Sequence, residues 1–62
     1  MNGFYTKSGT IYYIDSVNKL FWGGKIKSPV PFVTLQAIIG TRGRIQLING
    51  VIVDTNIVEG YF

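Results

Sequence analysis

The sequence predicts a small all-β fold built mainly from antiparallel strands. Isoleucine and valine supply fifteen of its 62 residues, whereas leucine, alanine and methionine together supply five. β-Branched side chains fit a pleated sheet better than they fit a helix. Eight glycines, one of them in the dipeptide Asn49-Gly50, provide turns. A chain of this length is expected to form a single domain over residues 1–62.

The first predicted unit is an aromatic hairpin in the N-terminal half. Strand Thr10–Ile14 is followed by the turn-forming sequence Asp15–Asn18 and then by strand Lys19–Trp22. Asp, Ser and Asn favour such turns because their side chains bond the nearby backbone. A four-residue loop would set the register and place Tyr13 opposite Leu20.

A bend and an extended segment come next. Gly23 and Gly24 permit a sharp change of direction before Lys25–Lys27, because glycine accepts backbone angles that other residues avoid. Proline cannot donate a hydrogen bond to a sheet, so Ser28–Pro31 is expected to be extended without forming an interior strand.

Residues 32–39 carry two competing patterns. Their alternation places four apolar side chains on one side of a strand: Val33, Leu35, Ala37 and Ile39. The alternative is one short helix around residues 31–39, with Ser28 as its N-cap and Gly40 as its stop. The strand is the preferred interpretation.

The best-defined unit is the hairpin Arg44–Thr55. Asn49-Gly50 is typical of a two-residue type I′ turn, which would pair Leu47 with Ile52 and Gln46 with Val53. Both faces are then apolar near the turn, so we expect the barrel to cover one face and a partner or second subunit the other. Five strands in a chain of this size predict a small SH3-like barrel or a curled five-stranded sheet.

The residue types present argue against an enzyme. With no histidine and no cysteine, the chain lacks the most common general base, the thiol nucleophile and the usual zinc ligands. Its acidic side chains are Asp15, Asp54 and Glu59, which do not have the spacing of a calcium loop. We therefore expect no catalytic site, no metal, no cofactor and no small-molecule substrate.

The chain is expected to work inside the cell. Polar residues and proline interrupt the best apolar run, residues 30–39, so no segment is long enough to span a bilayer. The N-terminus has no basic stretch followed by an apolar one, so no signal peptide is expected. A cytoplasmic location and the absence of a membrane partner follow as default expectations.

The composition favours a protein-binding module that associates with itself. Hydrophobic residues make up 47% of the chain and charged residues only 15%, too few to cover the surface of so small a domain. The stretch Val51–Val58 carries few charges and could add to a sheet edge in another chain. A second, larger protein could also be bound or inhibited, as by a phage-type accessory protein. The expected interface residues are Val51, Val53, Ile57, Tyr61 and Phe62.

The alternative is a small barrel that binds RNA or single-stranded DNA. The net charge of +3 permits an anionic partner without requiring one. Aromatic side chains beside a basic groove would supply stacking and phosphate contacts. The candidate residues for this role are Tyr12, Trp22, Lys25, Lys27, Arg42 and Arg44.

Overall fold

In a computed structural model, which describes all residues from 1 to 62, six antiparallel strands close into a small barrel. The strands are β1 (Gly3–Thr6), β2 (Ile11–Asp15), β3 (Leu20–Gly23), β4 (Ile26–Gln36), β5 (Arg42–Leu47) and β6 (Ile52–Tyr61). Each strand pairs with the next in sequence, and β6 returns to pair with β1. The predicted all-β fold class is confirmed, and the architecture is consistent with a small SH3-like or OB-like barrel. The predicted number of five strands is wrong, because Gly3–Thr6 forms an additional strand that closes the barrel between β2 and β6.

None of the chain forms a helix long and apolar enough to cross a membrane.

The core fills the inside of the barrel with a few large side chains. The buried apolar residues are Phe4, Ile14, Phe21, Ile45 and Val58. The ring of Tyr12 lies between those of Phe4 and Phe21, with centroid distances of 5.1 and 5.5 Å. The chain exposes 3984 Å² of surface, close to the ~4,000 Å² expected of a folded protein of this mass.

The β2–β3 hairpin forms with a register two residues from the predicted one. Tyr13 pairs with Trp22, and Asp15 pairs with Leu20. The Asp15 carboxylate accepts the backbone N–H groups of Val17 and Asn18, both at 3.1 Å, so Asp15 begins the turn instead of lying within the loop. Because the shift is even, every side chain keeps its predicted face.

The β5–β6 hairpin has a register one residue from the predicted one, which changes its faces. Its loop has three residues, because the N–H of Leu47 donates to the carbonyl of Val51 at 2.8 Å. Gly50 has a φ of 87°, whereas Asn49 does not have a positive φ, so the predicted type I′ turn is wrong. A type I turn followed by a left-handed glycine is the usual three-residue alternative.

This single-residue shift exchanges Val53 and Ile52 between the two faces of the hairpin. Val53 pairs with Ile45 and packs against the core, whereas Ile52 pairs with Gln46 and is 51% exposed. The predicted pairings of Leu47 with Ile52 and of Gln46 with Val53 are therefore wrong. A side-chain period of two means that any odd slip reverses inside and outside.

Of the two interpretations of residues 32–39, the strand is confirmed as far as Gln36, where β4 ends. The alternative prediction of a short helix around residues 31–39 is wrong. A bulge at Val33 separates the pairs Phe32–Leu47 and Thr34–Gln46. Inward positions consequently change from even to odd numbers, and Val33 is exposed.

The two prolines occupy the part of β4 where its partner changes from β3 to β5, and the Pro31 carbonyl accepts the N–H of Ile48 at 3.3 Å. This part pairs with β3 as far as Pro31, whereas Cα pairing with β5 begins at Phe32. The segment Ser28–Pro31 is thus extended, as predicted, but it lies within β4, which pairs with both β3 and β5, so the expectation that it forms no part of an interior strand is wrong. Pro31 lacks a donor, yet its carbonyl still takes part in the sheet.

Candidate functional site

Five large apolar side chains lie on the outside of the barrel across β1, β2 and β3. We call this surface the aromatic face, and its members are Tyr5, Ile11, Tyr13, Trp22 and Phe62. Strand pairing brings them together, since Tyr5 pairs with Ile11 and Tyr13 pairs with Trp22. They alternate along the strands with core residues such as Phe4 and Phe21.

The aromatic face has a defined ring geometry. Tyr13 and Trp22 stack with centroids 5.6 Å apart and ring planes 15° from parallel. Phe62 meets Tyr13 edge-on, at 5.7 Å and 78°. Both are favourable arrangements for aromatic pairs, so these side chains hold one another in place on the surface.

Two glycines allow rings to lie flat against the barrel beneath this face. A Cβ on Gly3 would lie 2.5 Å from the Phe62 ring, and a Cβ on Gly60 would meet the Tyr5 ring. Backbone bonds fix the same corner, since the N–H of Asn2 donates to the Phe62 carbonyl at 2.6 Å. The C-terminal residue is therefore anchored onto β1.

The aromatic face is exposed and contains no charged side chain among its members. Tyr5, Ile11, Tyr13 and Phe62 each retain 40–46% of their accessible surface. The charged residue at the end of β2 is the acidic Asp15. Hydrogen bonds from the side chain of Asn18, and then from its backbone, hold the pKa of the Asp15 carboxyl below its usual value. The surface is thus apolar with an acidic group at one end.

Tyr12 lies mainly inside the barrel and not on a stacking platform. Burial raises the pKa of its hydroxyl. A cavity of about 490 Å³ opens beside it, and the lining side chains include Thr10, Lys25, Ile26 and Asp54. The structure brings Tyr12 and Lys25 together at this barrel opening, while Trp22 lies on the outer face.

The other predicted lysine lies at the start of β4. Lys27 is exposed, and its Nζ donates to the Gly24 carbonyl at 3.1 Å. Gly23, the last residue of β3, and Gly24, in the turn that follows, have φ values of 128° and 55°. These two glycines provide the sharp change of direction that the sequence predicts.

The two arginines lie on β5, on the opposite side of the ring of strands from β2. Arg42 and Arg44 are both exposed and flank the buried Gly43. Arg44 Nε contacts Asp54 Oδ1 at 3.1 Å, and Arg42 Nη1 contacts the Thr55 carbonyl at 3.4 Å. The six predicted nucleic-acid contacts are thus spread over several surfaces.

The predicted protein-interface residues are likewise dispersed. Val51 is exposed at the end of the β5–β6 loop, whereas Val53 and Ile57 are half-buried. The Tyr61 hydroxyl donates to the Ala37 carbonyl across the end of the barrel, and Phe62 joins the aromatic face. β6 pairs with β5 and β1, so it has no free edge for the sheet addition expected of Val51–Val58.

Sequence reasoning missed Tyr5, Ile11 and Tyr13 as members of one surface. The signal was present in the hairpin alternation, because residues 11, 13 and 22 already fall on one side in the predicted register. The contributions of β1 and Phe62 depend on barrel closure, which no short-range pattern reveals.

The chain matches no protein-family model, no curated protein and no solved structure.

Proposed function

We propose that this protein is a non-enzymatic protein-binding module that associates with a second copy of itself through the aromatic face. The observation that carries the proposal is the stacked Tyr13–Trp22 pair, met edge-on by Phe62, on the outside of the barrel. Aromatic side chains that are ordered yet exposed are the usual anchors of protein interfaces.

The size of the aromatic face suits a modest interface between two chains. A large side chain of this kind can bury about 150–250 Å². The four members that are 40–46% exposed, with a smaller share from the half-buried Trp22, therefore offer roughly 400 Å² in total. This is about half of the ~800 Å² that each partner contributes to a standard interface. The surrounding polar rim would supply the remainder, and a weak to moderate dimer is expected.

The charges favour an apolar protein contact at this face over stacking with nucleic-acid bases. No lysine or arginine belongs to the aromatic face, and the acidic Asp15 at the end of β2 would repel phosphate. A symmetric dimer brings the same apolar patch of both chains together without pairing like charges at its centre.

A larger protein is the second partner in this proposal, and the setting is the cytoplasm. The same face that joins two copies could instead cover an apolar site on that protein, which is how a phage-type accessory or inhibitor protein would act. Competition between self-association and the larger partner follows, because both use one surface.

The test is the solution mass measured by light scattering over a range of protein concentrations. We expect the mass to rise with concentration from the 6.9 kDa of one chain towards twice that value. Moderate salt should leave the dimer intact, because an apolar interface is little screened. The absorbance at 260 nm, recorded alongside, should show that the dimer persists in fractions that carry no nucleic acid.

Paired variants locate the interface. Tyr13→Thr combined with Phe62→Ser removes the centre of the aromatic face and should give a monomer at every concentration. The matched control is Val33→Thr combined with Ile52→Thr, which removes two side chains of similar exposure, 52% and 51%, from other strands. A parent protein that is monomeric throughout, or a dimer lost only in the control, would refute the proposal.

A further inference from the structure

We propose a second binding site, on β5, that takes the phosphate groups of single-stranded nucleic acid. Its central residues are Arg42 and Arg44, supported by Gln36 on β4. The site lies three strands around the barrel from β2, so it does not depend on the aromatic face or on the function proposed for it.

The packing of Gly43 holds the two arginines on the same side of the barrel. Gly43 is buried, and its N–H donates to Thr55 Oγ1 at 2.9 Å. A Cβ at this position would lie 2.7 Å from that oxygen and 3.3 Å from the Phe4 ring. β5 is thus pressed close to the core between Arg42 and Arg44, and both side chains extend outwards.

Each guanidinium keeps free donors after its contacts within the chain. Asp54 contacts Arg44 through Nε, and Arg42 contacts the Thr55 carbonyl through Nη1. The Arg44 Nη groups have no partner in the chain, and Arg42 retains Nη2 and Nε. These are the donors with which arginine forks bind phosphate oxygens.

The space in front of the arginines suits an anion attached to an apolar group. A cavity of about 450 Å³ is lined by Gln36, Ile38, Thr41, Arg42, Arg44 and Asp54. Two cationic side chains face one carboxylate, which leaves a net positive charge. Ile38 is 51% exposed and offers an apolar wall for a sugar or base.

The shape of this site favours a polymer over a small free ligand. The cavity is an open depression on the outside of the sheet and cannot enclose most of a small molecule, as ligand pockets do. The backbone of a further basic residue lies across β6 from Arg42, because Arg42 pairs with Ile57 and the Ile57 carbonyl accepts the backbone N–H of Lys7 at 2.9 Å. A single strand crossing β5, β6 and β1 would meet all three basic residues.

The test is fluorescence anisotropy with labelled oligouridine and oligodeoxythymidine probes of roughly 12 nucleotides, a typical site size for a small barrel. Binding is measured at about 50 mM and about 200 mM salt, where phosphate contacts differ strongly in strength. Arg42→Ala with Arg44→Ala should weaken binding by about tenfold or more. Loss of two contacts should also reduce the slope of log affinity against log salt by about 1.4.

The matched control is Lys25→Ala with Lys27→Ala, which removes the same charge from the β3–β4 turn and should change affinity less than twofold. A second variant, Arg42→Lys with Arg44→Lys, keeps the positive charge but removes the planar guanidinium donors, and it should lose several-fold in affinity. This variant tests the site if the alanine variant does not fold. Tyr13→Thr with Phe62→Ser should bind nucleic acid normally, which separates this site from the aromatic face.

Three results would overturn the proposal. The first is an absence of binding to either probe at the lower salt concentration. The second is an equal loss in the arginine and lysine pairs, which would indicate diffuse attraction by net charge. The third is equally tight binding of an oligoglutamate of the same length, which would indicate an acidic protein partner.

Discussion

Replacing Gly43 by alanine should destabilise the barrel through one identifiable contact. The added Cβ would lie 2.7 Å from Thr55 Oγ1 and 3.3 Å from the Phe4 ring, so the Thr55 side chain or one of the strands must shift. Overpacking of this kind costs about 1–3 kcal/mol. The whole domain is expected to have about 3–9 kcal/mol of stability, so the substitution removes a large part of it.

A double-mutant cycle assigns the cost to that contact. Thr55→Ala alone leaves the buried N–H of Gly43 without its acceptor, at a cost of about 1–3 kcal/mol. In the double variant the Cβ enters space that the hydroxyl has vacated. The two substitutions together should therefore cost less than their sum, with a coupling of about 1–2 kcal/mol.

The assay is thermal and urea denaturation followed by far-UV circular dichroism at one low protein concentration. A loss of about 2 kcal/mol should lower Tm by about 8–16 °C in a domain of this size. Gln46→Ala, on the exposed side of β5, is the control and should change stability by less than about 0.5 kcal/mol. Strict additivity, or a Gly43→Ala variant as stable as its parent, would refute the packing argument.

Two further predictions concern titration. Because burial raises the pKa of Tyr12, its neutral form stabilises the fold fully below the unfolded value of about 10, and this contribution is lost as the pH rises through the folded pKa. Tyr12→Phe should therefore show a smaller loss of stability than the parent in alkaline urea titrations, and an identical loss would contradict the assignment. The lowered pKa of Asp15 has the opposite sign: its contribution is present above about pH 4 and is lost as the pH falls through the folded pKa. In an NMR titration Asn18→Ala should move the Asp15 midpoint upwards, and an unchanged midpoint would show that the Asn18 amide does not hold the carboxylate.

Local signals predicted the strands better than they predicted their registers. The β-branched composition and the glycine turns were sufficient for the fold class. Whether Asn49-Gly50 forms a two-residue or a three-residue loop depends on which side chains the core accepts. Ile45 and Val53 pack inwards together only in the three-residue form, so tertiary packing selected the turn.

The candidate surfaces were harder to predict than the strands, for a physical reason. Arg42 and Arg44 share a surface because Gly43 between them is buried, and alternation along a strand predicts that much. The aromatic face depends on contacts between opposite ends of the chain, since Phe62 lies over Gly3. A bulge such as the one at Val33 also reverses which side chains of the strand point inwards. No particular residue type marks the position of such a bulge in the sequence.

The closure of β6 onto β1 has a consequence for folding order. Five of the six strand pairings join sequence neighbours, whereas this one pairs Phe4 with Tyr61 across nearly the whole chain. Closing so long a loop carries the largest entropic cost, so this pairing should form last. The ring of Phe62 reaches Tyr13 only after that step. Incompletely folded chains would therefore lack the complete aromatic face. A partner that binds this face would then bind only chains whose barrel has closed.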